Sequence, residues 1–395
     1  YASDLNPIAC MLTWGAFNVV GAQPHEREKL ASAVEDLVAK VQADIDALAI
    51  ESDGNGWTAR SFLYCLEVRC PESGWMVPLL PSFVVSRGQR TLAPAIAQLV
   101  PVPSEKRYEI VIKENVSEED LEAAKVGTVQ KERRGAEAFI VHSPDGVTTF
   151  RVPYARIRDG EPSTPSSAPP GLRPWERRDV VPIPDDILQE RLYAIAWQRP
   201  LTAGKRHEHK VSTVTPEDLE REEQVLTYVQ EHFDEWQQRG WIPSMRIEPG
   251  KATSYPMRSR GWTHWHHLFN PRQLLVLGLL FKHASASEHY SRLVFGLGRS
   301  VDYGSRLGRW NVGLDKSEQV FYNQALNVLY NYGTRAFTLL RPLLTADFKA
   351  APISAETMIK ATPAADASGR YDIAVTDPPY GDAVNYEEIL EFFIA

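Results

Sequence analysis

The chain has 395 residues, 43% of them apolar, and a formal net charge of −8. That is enough apolar material for a sizeable core spread over two or three domains. Three cysteines, Cys10, Cys65 and Cys70, argue against a disulfide framework and fit a reducing cytoplasm. The longest apolar stretches, such as 274–281, are far too short to span a bilayer.

In chain order, Ala2-Ser3-Asp4-Leu5-Asn6-Pro7 reads as the end of a strand and a turn shaped by Asp4, Asn6 and Pro7. Pro24 then opens a helix whose residues Leu30, Val34, Leu37, Val41, Ile45 and Leu48 fall on one face. Between residues 57 and 154 the texture changes to short β-rich runs. Residues 138–142 and 147–152 flank Ser143-Pro144-Asp145-Gly146, which predicts a hairpin. Residues 160–174, rich in Pro, Ser and Gly, cannot build a core and read as a linker.

Helices return after it. Thr215 as N-cap, Pro216 in the first turn and Gly240 past the end frame one. Asn270-Pro271 opens a second, and Ser317 is expected to cap a third that Gly333 ends. The β-branched run 371–376 predicts a buried strand, ended by Pro378 and Pro379, which cannot donate to a ladder. The result is a stiff loop at a strand's carboxyl end, where open α/β sheets hold their ligands. The sequence does not open on Met and stops inside the helical pattern Glu387-Glu388-Ile389-Leu390-Glu391-Phe392-Phe393, so it reads as a fragment of something larger.

Charge is unevenly distributed. Residues 239–309 hold eleven Lys/Arg against three acids, although the whole chain is acidic. Such a stretch is either a solvated basic face or a surface for phosphate groups. Arg258, Arg260, Arg272, Arg306 and Arg309 are the candidate nucleic-acid contacts. His264, His266 and His267 lack the carboxylates or helical spacing that a metal cluster needs, and read as packed structural histidines.

Asp377-Pro378-Pro379-Tyr380 carries the clearest chemistry. The lone pair of a nucleobase amino group is delocalised into the ring, which makes it a poor nucleophile. A carboxylate at Asp377 and the carbonyl of Pro378 could each accept one of its N–H bonds and aim the lone pair at an incoming methyl group. Pro379 keeps that carbonyl rigid, and Tyr380 offers a ring face for an extruded base.

These residues resemble the catalytic motif of the amino-methyltransferases that modify adenine N6 or cytosine N4 in DNA. Over most of its length the chain resembles a more particular family, the large adenine-specific DNA methylases, a type associated with a zinc ribbon and with anti-phage defence clusters. The resemblance is carried by Ala2-Ser3-Asp4-Leu5-Asn6-Pro7, Arg69-Cys70-Pro71-Glu72-Ser73-Gly74-Trp75, Arg260-Gly261-Trp262-Thr263-His264-Trp265 and Thr376-Asp377-Pro378-Pro379-Tyr380. It implies a Rossmann-like sheet that binds S-adenosylmethionine, interrupted by a β-rich and a helical insertion. It also implies that Asp4 accepts the ribose hydroxyls of the cofactor, that Asn6 and Pro7 shape the turn beside its adenine, and that a Gly-rich loop precedes residue 1.

The expected organisation is core over 1–52, β-rich insertion over 53–185, helical insertion for target recognition over 186–345, and catalytic core over 346–395. The zinc ribbon is damaged, because Ser73 stands where a second cysteine belongs, and no metal is expected. The implied partner is double-stranded DNA with a flipped base, alongside helicases or nucleases of a defence system, and no membrane. Cytosine N4 and RNA methylation share the same loop chemistry. A binding or assembly subunit that keeps the fold without turnover is the reading of another class.

Overall fold

The computed structural model describes residues 1–131, 138–142, 150–159, 171–201, 207–322, 325–345, 350–376 and 386–395. The chain begins with β1 (Ala2–Asp4), α1 (Pro7–Gly15) and α2 (Pro24–Leu48). Strands β2 (Thr58–Arg69), β3 (Met76–Leu79), β4 (Val84–Arg87), β5 (Pro94–Val102) and β6 (Arg107–Glu114) lead to α3 (Glu118–Ala123). Next come β7 (Val129–Lys131), β8 (Ala138–His142), β9 (Phe150–Pro153), α4 (Tyr154–Asp159), β10 (Leu188–Pro200) and β11 (His207–Thr213). The helical part holds α5 (Pro216–Arg239), α6 (Ser254–Arg260), α7 (Pro271–Ser285) and α8 (Tyr290–Tyr303). The last elements are β12 (Trp310–Asn311), β13 (Lys316–Ser317), β14 (Asn331–Arg335), α9 (Phe337–Leu340), β15 (Ile359–Ala361) and α10 (Tyr386–Ile394).

The fold is mixed α/β. An eight-stranded sheet runs β11-β10-β2-β3-β6-β5-β4, with β14 also paired to β2. It is antiparallel except where β3 meets β6. β2 organises it: β10 lies along one edge, while β14 and β3 share the other, at residues 61–65 and 66–69. Against this sheet stands a helical layer whose core joins α2, α5, α7 and α8. α7 lies at its centre, with Leu274, Leu275, Leu279 and Leu280 fully buried. Gly278 permits that closeness, since an added Cβ would lie 2.3 Å from the Trp236 ring.

The caps read at Thr215 and Asn270 form as expected. Thr215 caps α5 with a reciprocal bond from Asp218, and Gly240 ends it in the left-handed region at φ 70°. Asn270 caps α7 in the same way with Gln273. Each such cap contributes about 1 kcal/mol. The β8–β9 pairing forms with His142 opposite Phe150; residues 143–149, which hold the expected turn and the start of the second run, lie outside the described residues. Most of the linker, 160–170, also lies outside them.

Two expectations are corrected. The stretch after Ser317 is no long helix: Ser317 pairs with Trp310, and residues 331–335 are a strand paired with β2. Gly333 is therefore a spacer and not a helix stop, since an added Cβ would sit 2.4 Å from Ser317 Oγ. The segment there satisfies its backbone through β2, a tertiary gain that outweighs local helical spacing. The boundary expected at 185/186 is also crossed. β10 pairs with β2 from Leu188 to Gln198, so residues on both sides build one sheet.

One buried acid makes stability depend on pH. Glu51 is 5% exposed and accepts Phe337 N–H at 2.9 Å. Burial pushes its carboxyl up to about 7. The folded state therefore keeps a proton that the unfolded chain releases near its ordinary value, and the associated stability is lost as pH rises from about 4.5 through 7. Glu51→Gln should remove that loss. Relative to the parent, it should gain on the order of 3 kcal/mol between pH 4.5 and pH 8, read from urea unfolding at both values.

Candidate functional site

β1 and β15 pair in parallel, with Ala2 opposite Ile359, Ser3 opposite Lys360 and Asp4 opposite Ala361. A parallel pair brings both carboxyl ends to the same side, and Asp4 is the last residue of β1. Its Oδ1 accepts the Asn6 N–H at 2.8 Å. Asn6 Oδ1 in turn accepts the Ile8 N–H at 2.9 Å, which makes Asn6 the N-cap of α1 with Pro7 in the first turn. The acid thus tightens the turn, the amide starts the helix and the proline presets its φ. Asp4 is exposed, and its other oxygen bonds to no residue among those described. A cleft of about 450 Å³ adjoins β15, lined by Tyr1, Lys360, Thr362, Asp366 and Tyr371.

The predicted strand at 371–376 does not form. Ile373 is 81% and Val375 90% exposed, and no strand among the described residues runs beside them. A strand is stabilised only by a neighbour that takes up its N–H and C=O groups. At its start Tyr371 lies against Tyr1, with ring centroids 5.9 Å apart. Asp377, Pro378, Pro379 and Tyr380 lie outside the described residues.

The helix that follows them, α10, is anchored at two points. Phe392 is 3% exposed, stacked on Phe269 at 5.5 Å and edge-on to Trp265 and Phe321. Glu388 accepts the backbone N–H groups of Lys251 (2.8 Å), Ala252 (2.7 Å) and Thr253 (3.0 Å). Burial opposes its charge, but the three N–H donors outweigh it and hold the carboxyl below its usual range. Sequence reading missed this contact. Its one signal is Gly250, where an added Cβ would lie 2.3 Å from the Glu388 carboxyl carbon.

Three of the five candidate nucleic-acid arginines are corrected. Arg260 is 6% exposed and bonds to Leu329 O at 2.8 Å, Ser259 O at 2.7 Å and the Tyr154 hydroxyl at 2.5 Å. Arg272 is 2% exposed, paired with Glu222 and packed over the Phe62 ring at 3.8 Å. Arg306 is 3% exposed and grips Glu190 with Nε at 2.9 Å and Nη2 at 2.8 Å. A guanidinium enclosed this way has no face left for a phosphate. The positive charge counted along the sequence is spent on internal acids: Arg272 through Glu222 to Tyr64, and Arg306 through Glu190 to Tyr332, with the two tyrosines stacked at 5.3 Å. This network joins the helical layer to the sheet. Arg309 is exposed but paired with Glu318, and Arg258 is exposed on α6.

His266 and His267 are fully buried. His267 Nδ1 accepts the Thr263 N–H at 3.1 Å, and Nε2 donates to Glu176 O at 3.0 Å, which fixes a neutral ring. Burial and the neighbouring His264 push the His266 imidazole down to about 3. Both act as packing groups in the neutral form. Cys65 is buried in β2, its thiol pushed up by burial and by Glu67. Cys70 opens a tight turn in which its N–H donates to Trp75 O and its carbonyl accepts the Gly74 N–H, both at 2.8 Å. Among the described residues no three His, Cys, Asp or Glu side chains come together as a metal site. No helix among them is long and apolar enough to cross a membrane.

Compared with known proteins, the chain matches no family model, no curated protein and no solved structure at a significant level.

Proposed function

We propose that this chain belongs to an S-adenosylmethionine-dependent DNA methyltransferase acting on the amino group of a flipped base, adenine N6 in the first instance. The observation that supports it from the structure is the β1–Asp4–Asn6–Pro7–α1 unit beside β15. An exposed carboxylate at the carboxyl end of a parallel strand pair, with a helix opening three residues later, is the arrangement that binds a ribose diol in doubly wound folds. From the sequence it is joined by Asp377, Pro378, Pro379 and Tyr380, whose residue types suit the activation of an aromatic amine. In a doubly wound sheet of order 3-2-1-4, strands two and three pair in parallel, as β1 and β15 do.

S-adenosylmethionine, when bound, supplies an electrophilic methyl group. Asp4 would hold its ribose with the carboxylate oxygen left free by the Asn6 contact. Asp377 and the Pro378 carbonyl would accept the two amino hydrogens of the base, while Tyr380 stacks on its ring. Defence-system partners belong to the same reading. Asp4→Ala in the intact protein should weaken S-adenosylmethionine binding by about 10- to 100-fold, the loss of charge-assisted bonds to a diol. Calorimetric titration with the cofactor checks it, and unchanged affinity would remove Asp4 from the site.

A further inference from the structure

Arg87, the last residue of β4, and Arg90, in the loop after it, are exposed. Among the described residues neither guanidinium has a hydrogen-bond or ion-pair partner. The loop that carries them is nonetheless tightly fixed. Buried Asp315, itself in the left-handed region at φ 51°, accepts from Ser86 Oγ at 2.8 Å and from the N–H groups of Thr91 and Leu92 at 2.9 Å each. Ser86 Oγ in turn accepts the Gly88 N–H at 3.1 Å, and Gly88 turns the chain at φ 69°.

Arg60 joins this loop to β11. The ladder between β2 and β10 shifts register there, with Ser61 opposite Ala196 and Ala59 opposite Trp197, so Arg60 is the extra residue of a bulge. Bulges re-aim a side chain. Arg60 Nη1 donates to Thr91 Oγ1 at 2.8 Å and to His209 Nδ1 at 3.2 Å, while its Nε is buried without a partner. The sheet curls to allow this, bringing β11 beside β6: the Ile112 N–H donates to Thr213 Oγ1 at 2.8 Å and the Val211 N–H to Glu114 Oε1 at 2.9 Å. His207, exposed, lies two residues from His209 and so on the same face of β11.

The acids of these strands and loops are already engaged. Glu208 pairs with Arg199 at 2.6 Å, Glu114 accepts from Val211, and Asp315 holds the loop. Arg306 and Arg272, by contrast, are each neutralised by an internal carboxylate. Arg60, Arg87 and Arg90 therefore leave concentrated positive charge on a chain whose net charge is −8. Such a cluster repels itself, and a bound anion relieves that repulsion.

We infer that the Arg60–Arg87–Arg90 edge of the sheet is a contact surface for the phosphate backbone of duplex DNA, with His207 at its margin. The choice of DNA rests on the methyltransferase reading above. Two of the three arginines stand in solvent on a fixed loop, which suits successive phosphates along a duplex and not an enclosed small anion. Phosphate contacts position a duplex without reading its sequence.

The test titrates a fluorescent DNA duplex with the intact protein over a series of salt concentrations. The slope of log affinity against log salt should be shallower by about two in Arg87→Ala/Arg90→Ala than in the parent. Each arginine should cost about fivefold in affinity near 0.15 M salt, whatever the duplex sequence. Urea midpoints should stay at the parent's value, because neither side chain has a partner in the fold. Adding Arg60→Gln, which keeps a donor for Thr91, should lower the slope by about one more. Lys29→Ala/Lys40→Ala on α2 removes the same charge from exposed lysines and should leave the slope unchanged. An unchanged slope in Arg87→Ala/Arg90→Ala, an equal loss in the α2 variant, or a loss seen on duplex RNA and not on duplex DNA would overturn the inference. If the parent transfers methyl groups in those cases, the methyltransferase reading stands. Binding with the expected slopes by a parent that transfers no methyl group would instead sink that reading and leave the DNA surface in place.

Discussion

Arg306→Met is expected to destabilise the fold by about 3–5 kcal/mol, the cost of leaving one member of a buried ion pair alone. Glu190, its partner, has a side chain only 8% exposed and would be left buried without a counterion. The same substitution orphans the carbonyls of His267, Phe269 and Val180, each of which accepts from the guanidinium. Burial alone would lower the pKa of Arg306, yet the Glu190 carboxylate outweighs it and raises it, so the group is charged at every working pH. Arg258, exposed on α6, provides the contrast: its reversal to Glu should stay within about 0.5 kcal/mol. Denaturant midpoints of the two variants decide the matter. Equal, small losses would show that the Arg306–Glu190 pair does not hold the helical layer to the sheet.

What the sequence made legible was local. Pro24, Thr215-Pro216 and Asn270-Pro271 each mark a helix start, because capping and the first turn are determined by a few adjacent residues. The Asp4-Leu5-Asn6-Pro7 turn was readable for the same reason. Where reading failed, the deciding contact lay far away. Residues 331–335 became a strand because β2 accepted them, and Gly333 spaces them from Ser317. The basic stretch at 239–309 looked like a surface because its partners, Glu190 and Glu222, fall outside it in sequence. Charge counted along a chain does not register an acid brought in by folding. The run 371–376 has the composition of a strand, but pairing needs a neighbour, and none lies beside it among the described residues. Glu388 was illegible for a related reason: its acceptor role is defined by backbone N–H groups, which carry no side-chain signature.

Asp377→Ala is expected to lower methyl transfer by about 100- to 1,000-fold while leaving cofactor affinity close to that of the parent. In the proposed reading the carboxylate serves the base and not the cofactor, which Asp4 would hold. Without it, one amino hydrogen loses its acceptor, the lone pair stays conjugated with the ring, and the nitrogen remains a weak nucleophile. Tyr380 and the Pro378 carbonyl would still bind and orient the base, so binding and turnover should part company. The direct measurement is transfer of a tritiated methyl group from S-adenosylmethionine to duplex DNA by the intact protein and by Asp377→Ala, followed by digestion to nucleosides. The account predicts label in N6-methyladenine with the parent and near-background label with the variant. Label at a ring carbon, or a variant that transfers at the parent's rate, would contradict it.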